Sequence, residues 1–156
     1  MSFASDLPIQ NFIRDFSQAA QSQGWSVEVE RPIGGFIPDL TVEGPRGGTV
    51  VVDVQTGEGS VHFGTIAQLS SARAAIEAVE PLPVGVVLLT SDLVAEAVSG
   101  AAHELGVAVV NVDFEIEHLG RALVRRLLTD EFGMLDDVKQ EFGPVDRDDE
   151  SKDERA

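Results

Sequence analysis

The sequence predicts an α/β domain: a mixed β-sheet flanked by helices on both faces, in the order α-β-β-β-α-β-α-β-α. Three observations lead there. An N-terminal stretch with helical spacing is followed by three short strand-like segments joined by glycine-rich turns. Two later runs, Val84–Leu89 and Val107–Val112, are continuously apolar, as strands covered on both faces require. Between and after these runs lie segments with helical apolar spacing, so the second half alternates strand and helix.

The first helix is expected from about Leu7 to Gln23, where Ile9, Phe12, Ile13, Phe16, Ala19 and Ala20 recur at helical spacing and Gly24 stops it. Trp25, Val27 and Val29 alternate with Ser26, Glu28 and Glu30, a strand with one wet face, which Pro32–Phe36 (PIGGF) breaks. A second strand spans Ile37 to Glu43. The turn GPRGG at Gly44–Gly48 joins it to a third, TVVVDVQT at Thr49–Thr56, as a hairpin.

A helix from about Phe63 to Val79 follows the loop at Gly57–Ser60. After the strand at Val84–Leu89 come a helix from about Leu93 to Leu105, capped by Thr90-Ser91-Asp92, the strand Val107–Val112, and a last core helix from Phe114 to Leu128. Residues 1–128 therefore form one domain. Residues 129–156 read as an acidic C-terminal segment: a short helix carrying Phe132, Leu135, Val138 and Phe142, then a tail after Gly143 too poor in apolar residues to fold.

Composition narrows the functional classes. The chain has 156 residues and no cysteine, which excludes disulfides and thiolate metal sites. The N-terminus lacks the pattern of a secretory signal, and no apolar stretch reaches the roughly 18 residues that suggest a membrane span, so cytoplasm is the expected location.

The formal charge is -16, and residues 1–128 carry 16 acidic against 7 basic side chains while residues 129–156 carry 11 against 4. The two lysines, Lys139 and Lys152, both lie in the C-terminal segment. An evenly acidic, lysine-poor surface suits a halophilic, high-salt cytoplasm where repulsion is screened. In ordinary salt the same charge opposes non-specific binding to nucleic acid.

The residues that point to chemistry lie in the hairpin. Asp53 and Gln55 share one face of the third strand with Val51, while Val50, Val52 and Val54 point the other way. Asp39, after Pro38, falls on the second strand with Thr41 and Glu43 on its own face. The hairpin brings Asp39 and Asp53 to one end of the sheet, where they can share a divalent cation. A lone carboxylate among valines is otherwise costly to bury. The other open reading is an edge hairpin whose polar face meets water, with Asp53 simply exposed.

Pro38-Asp39 followed by Asp53-Val54-Gln55-Thr56-Gly57 resembles the signature of the PD-(D/E)xK nuclease superfamily, whose fold is restriction-endonuclease-like. Its flavour is that of archaeal Holliday-junction resolvases and Mrr-type restriction enzymes. The resemblance covers roughly residues 7–128 and extends to Val84–Ser91, Ala95–Ala102 and Gly106–Val112.

It implies that Asp39 and Asp53 are the metal-binding acids for Mg²⁺ or Mn²⁺, with the Val54 carbonyl as a further ligand, and that Gln55 stands where the signature has lysine. Asp15 matches the additional helix acid of some members. Arg73, with Arg31 and Arg46 as poorer candidates, is the available replacement cation. His62, in the loop after the third strand, is either a contact to metal or phosphate or an ordinary loop histidine. The remaining candidates have structural explanations. His103 and His118 lack ligand spacing, the glycine-rich stretches lack a P-loop lysine, and Arg121, Arg125 and Arg126 suit a helix C-terminus.

The implied function is a degenerate divalent-metal-dependent DNA endonuclease with weak phosphodiester hydrolysis, meeting DNA under high-salt conditions. The alternatives are a non-catalytic nuclease-like module that binds nucleic acid or a partner protein, and a plain acidic interaction domain. A homodimer is compatible with either.

Overall fold

The structure is a computed structural model that describes residues 7–45, 47–57, 59–79 and 84–128. The short helix and tail expected within residues 129–156 lie outside the described residues, as does Arg46. The elements are α1 (Leu7–Ser22), β1 (Ser26–Val29), β2 (Leu40–Glu43), β3 (Thr49–Gln55), α2 (Phe63–Glu77), β4 (Val84–Thr90), α3 (Glu96–Glu104), β5 (Ala108–Asn111) and α4 (Leu119–Leu127). This is the predicted order.

The five strands form one mixed sheet in the order β1-β2-β3-β4-β5. The first two pairings are antiparallel and the last two parallel. Short turns make the meander. Gly47 and Gly48 at the β2–β3 turn both adopt the positive φ that glycine tolerates. The parallel half needs helical crossovers, which α2 and α3 supply.

The two faces of the sheet hold separate apolar cores. One is built on Val50, Val52 and Val54 of β3 with Phe12 and Phe16 of α1 and Leu123, Val124 and Leu127 of α4. The other joins Val51 of β3 and Leu88 of β4 to Ile66 and Leu69 of α2 and Val98 of α3. Every residue of β4 is buried, which explains its unbroken apolar run.

α1 and α4 pack closely because position 120 is glycine. A β-carbon there would lie 2.5 Å from the Phe16 nitrogen and 2.6 Å from the Phe12 carbonyl oxygen. Among the described residues no helix is long and apolar enough to cross a membrane.

Three element starts differ from expectation by three residues or more, and each has a local cause. β2 begins at Leu40 rather than Ile37, because Ile33 and Phe36 pair with each other in a tight turn that delays the strand. α3 begins at Glu96 with Ala95 at its N-cap and no side-chain cap. The expected cap, Asp92, instead accepts the Gly57 N–H across 2.6 Å, and its own N–H is held by the Thr90 hydroxyl.

α4 begins at Leu119 rather than Phe114. The Asp113 carboxylate accepts the Glu115 N–H and starts a turn, while His118 takes a left-handed φ of 61°. Phe114 is buried edge-on against Phe12 in this irregular segment.

Candidate acid-pair site

β3 is the central strand, and its alternation places Asp53 and Gln55 on the α2–α3 face with Val51. The antiparallel register pairs Leu40 with Val52 and Thr41 with Val51. One step further, Asp39 stands opposite Asp53. Both are almost fully enclosed, at 4% and 3% exposure. The reading of an open edge hairpin with Asp53 in water is therefore corrected: β4 covers the far edge of β3, which no local pattern in the hairpin reveals.

The two acids are held by backbone as well as by each other. Asp39 Oδ2 accepts the Val54 N–H at 2.6 Å, and the Asp39 N–H donates to the Asp53 carboxylate. Gln55 Nε2 donates to Asp53 Oδ2 at 2.9 Å. Burial raises the pKa of Asp39 to about 8, reinforced by the neighbouring Asp53 charge and by the hydrogen bond between the two carboxyls, and opposed by the Val54 N–H.

Burial raises Asp53 as well, but hydrogen bonds from Gln55 and Asp39 favour its ionised form. Burial thus pushes both carboxyls toward the protonated form, with Asp39 the more strongly raised.

The other candidates are placed as follows. Val54 buries its side chain in the opposite core, so only its backbone faces the strand interfaces. Asp15 lies on α1 beyond the opposite face of the sheet, its β-carbon against Gly120 of α4 and its carboxylate 3.6 Å from Arg14. It does not join the pair.

His62 caps α2: its Nδ1 accepts the Gly64 N–H, and Thr65 completes the reciprocal box. Arg73 donates to the Gly106 carbonyl at 2.6 Å and to Glu77 at 3.2 Å, which anchors it between α2 and the start of β5. Arg31 bonds Glu28 and Glu43, and Glu43 is at the end of β2 away from Asp39. Neither of these arginines pairs with Asp39 or Asp53.

Two residues that the sequence places only as a helix cap and a strand neighbour, Asp92 and Thr41, belong to this region. Asp92 ties the loop after β3 to the loop after β4, and its carbonyl accepts from Asn111 at the end of β5. Thr41 is buried beside Asp39 on the same face. The polar position at 41 within a buried strand was the available signal.

Among the described residues, no group of three or more acids, histidines or cysteines is arranged to hold a metal ion. Two carboxylates nevertheless fit a hard divalent cation in kind, since such ions take oxygen donors and complete their shells with water.

Comparison with solved structures places the fold. The chain is similar to the crystal structure of a repair endonuclease from Pyrococcus abyssi, with a TM-score of 0.51 and 16% sequence identity over 71% of this chain and 48% of the other. It thus spans about half the length of that protein. No family model matches the sequence, and no curated protein does. The fold is that of a nuclease-like α/β domain.

Proposed function

We propose that this protein is a degenerate divalent-metal-dependent nuclease domain, with Asp39 and Asp53 as the acids that hold Mg²⁺ or Mn²⁺ and DNA as the substrate met at high salt. The observation that carries this reading is the buried cross-strand pairing of two carboxylates at the end of a nuclease-like sheet. Burying two acids side by side is unfavourable unless a proton or a cation joins them.

When bound, a divalent cation supplies Lewis-acid stabilisation of phosphate charge and lowers the pKa of a bound water. Asp39 and Asp53 would hold it through oxygens after Asp39 releases its proton, and the Val54 carbonyl would add a backbone oxygen. Gln55 would orient a water or a phosphate oxygen by hydrogen bonding, but it adds no positive charge. Losing one such electrostatic contact costs about 3–4 kcal/mol of transition-state stabilisation, so hydrolysis would be weak.

A second reading is favoured by a specific observation: the Gln55 amide is already bonded to Asp53, and Arg31 and Arg73 are engaged elsewhere. On that reading the domain binds nucleic acid or a partner protein without cleaving. The deciding experiment measures Mn²⁺- and Mg²⁺-dependent cleavage of branched, single-stranded and duplex DNA in molar KCl, for wild type and Asp53→Asn. Cleavage lost in Asp53→Asn supports the nuclease. Silence of the wild type on every substrate favours the binding module.

A further inference from the structure

Thr41 is 1% exposed, and its hydroxyl has no hydrogen-bond partner. Buried hydroxyls are rarely left in this state, and each case calls for a ligand or a water that satisfies it. Its position supplies the reason. Asp39 lies just before β2 and its carboxyl is hydrogen-bonded to that of Asp53, while Thr41, two residues later on β2, is set opposite Val51 on the α2–α3 face by the register. The hydroxyl is therefore the next polar group inward from the acid pair.

A β-branched hydrocarbon would fill the same space at a buried strand position with no polar atom to satisfy. Val50, Val51, Val52 and Val54 do so on β3. Threonine at this point adds one oxygen and nothing else.

We propose that Thr41 is a positioning residue of the cation site: its hydroxyl hydrogen-bonds a water retained by a divalent cation that Asp39 and Asp53 hold. This inference rests on the reading of Asp39 and Asp53 as metal-holding acids. The chemistry suits the ion. Magnesium keeps several of its waters and is held by one or two carboxylates, so the protein's remaining task is to accept or donate hydrogen bonds to those waters. A hydroxyl does both, which an additional carboxylate in the same place would not do without more charge to bury.

The test is Mn²⁺ binding by the full chain, read by calorimetry and by the loss of the free-ion electron paramagnetic resonance signal, in molar KCl. Four proteins are compared: wild type, Thr41→Val, Thr41→Ser and Asp53→Asn. Removing a group that orients a metal ligand costs about 10–100-fold in affinity. Thr41→Val is therefore expected to weaken Mn²⁺ binding at least about tenfold, Thr41→Ser to bind within a few-fold of wild type by the same logic, and Asp53→Asn to abolish binding.

Without metal, Thr41→Val should unfold at the same or a higher denaturant concentration, because it removes an unsatisfied buried hydroxyl. That separates a positioning role from a packing role. Unchanged affinity in Thr41→Val, with binding lost in Asp53→Asn, overturns the role of Thr41 and leaves the acid-pair site standing. A wild type that binds no Mn²⁺, or an Asp53→Asn that binds as well as wild type, overturns the site and the role of Thr41 together.

Discussion

Asp39 faces Asp53 across the β2–β3 interface, and each carboxylate is also tied to the other strand's backbone, Asp39 through the Val54 N–H at 2.6 Å and Asp53 through the N–H of Asp39. Two acids that would repel in water are thus locked together by the same hydrogen bonds that join the strands. The consequence is a buried pair whose protonation is linked to folding.

Asp39 keeps its proton in the folded protein up to about pH 8, whereas its unperturbed value is 3.8. Between these limits the folded chain binds more protons than the unfolded one, so stability falls as pH rises. The slope reaches about 1.4 kcal/mol per pH unit for each proton of difference. This contribution is complete below the lower value and gone above the upper one. Urea unfolding from pH 4.5 to 8.5 in molar KCl, which screens the general acidic charge, should show the decline. Asp39→Asn should flatten it. A wild-type profile as flat as that of the variant would mean that the pair shares no proton.

Gln55→Lys should increase metal-dependent phosphodiester hydrolysis by about 10²–10³-fold if substrate placement survives, since it adds one positive charge where the transition state of the proposed reaction gathers negative charge. The lysine also lies within reach of Asp53, the present partner of the Gln55 amide, and so should favour the ionised acids. Rates for Gln55→Lys and for Gln55→Lys with Asp53→Asn, side by side, exclude a contaminating nuclease. A single variant that remains silent while binding Mn²⁺ tightly would point to a lost DNA groove rather than a lost charge.

Gly120→Ala should destabilise the domain by about 1–3 kcal/mol or more, because its β-carbon would strike the backbone of α1 at Phe12 and Phe16. Backbone atoms in a packed helix cannot rotate aside, so relief requires the helices to separate. The check is the denaturation midpoint, with Gly100→Ala as a control at a position whose added β-carbon meets nothing within 4 Å. Equal midpoints for the two variants would falsify the close α1–α4 packing.

Rising salt should stabilise the protein, because a formal charge of -16 resists compaction until it is screened. Thermal midpoints measured from low ionic strength to molar KCl are expected to increase steadily. Midpoints that do not move would remove the case for a halophilic protein.

Several features followed from sequence because they depend only on local periodicity. The alternation in TVVVDVQ determines that Asp53 and Gln55 share a face opposite Val52 and Val54, whatever the strand pairs with. The apolar spacing of Ile9, Phe12, Phe16 and Ala20 determines the buried stripe of α1, and the unbroken run of β4 determines a strand covered on both sides.

What tertiary structure alone decided are the partners brought from a distance. Burial of Asp53 depends on β4, whose Leu88 pairs with it across the strand edge that the hairpin leaves open. Arg73 is engaged by a carbonyl 33 residues away, and Asp92 by an amide 35 residues away, so neither takes the role that its own segment suggests. Asp15 is separated from the acids by the thickness of the sheet, because the stripe of α1 turns to the face opposite theirs. Periodicity reports which side chains point together along one element. Only packing determines what those side chains meet, because the free energy of burying a charge or a donor depends on neighbours contributed by other parts of the chain.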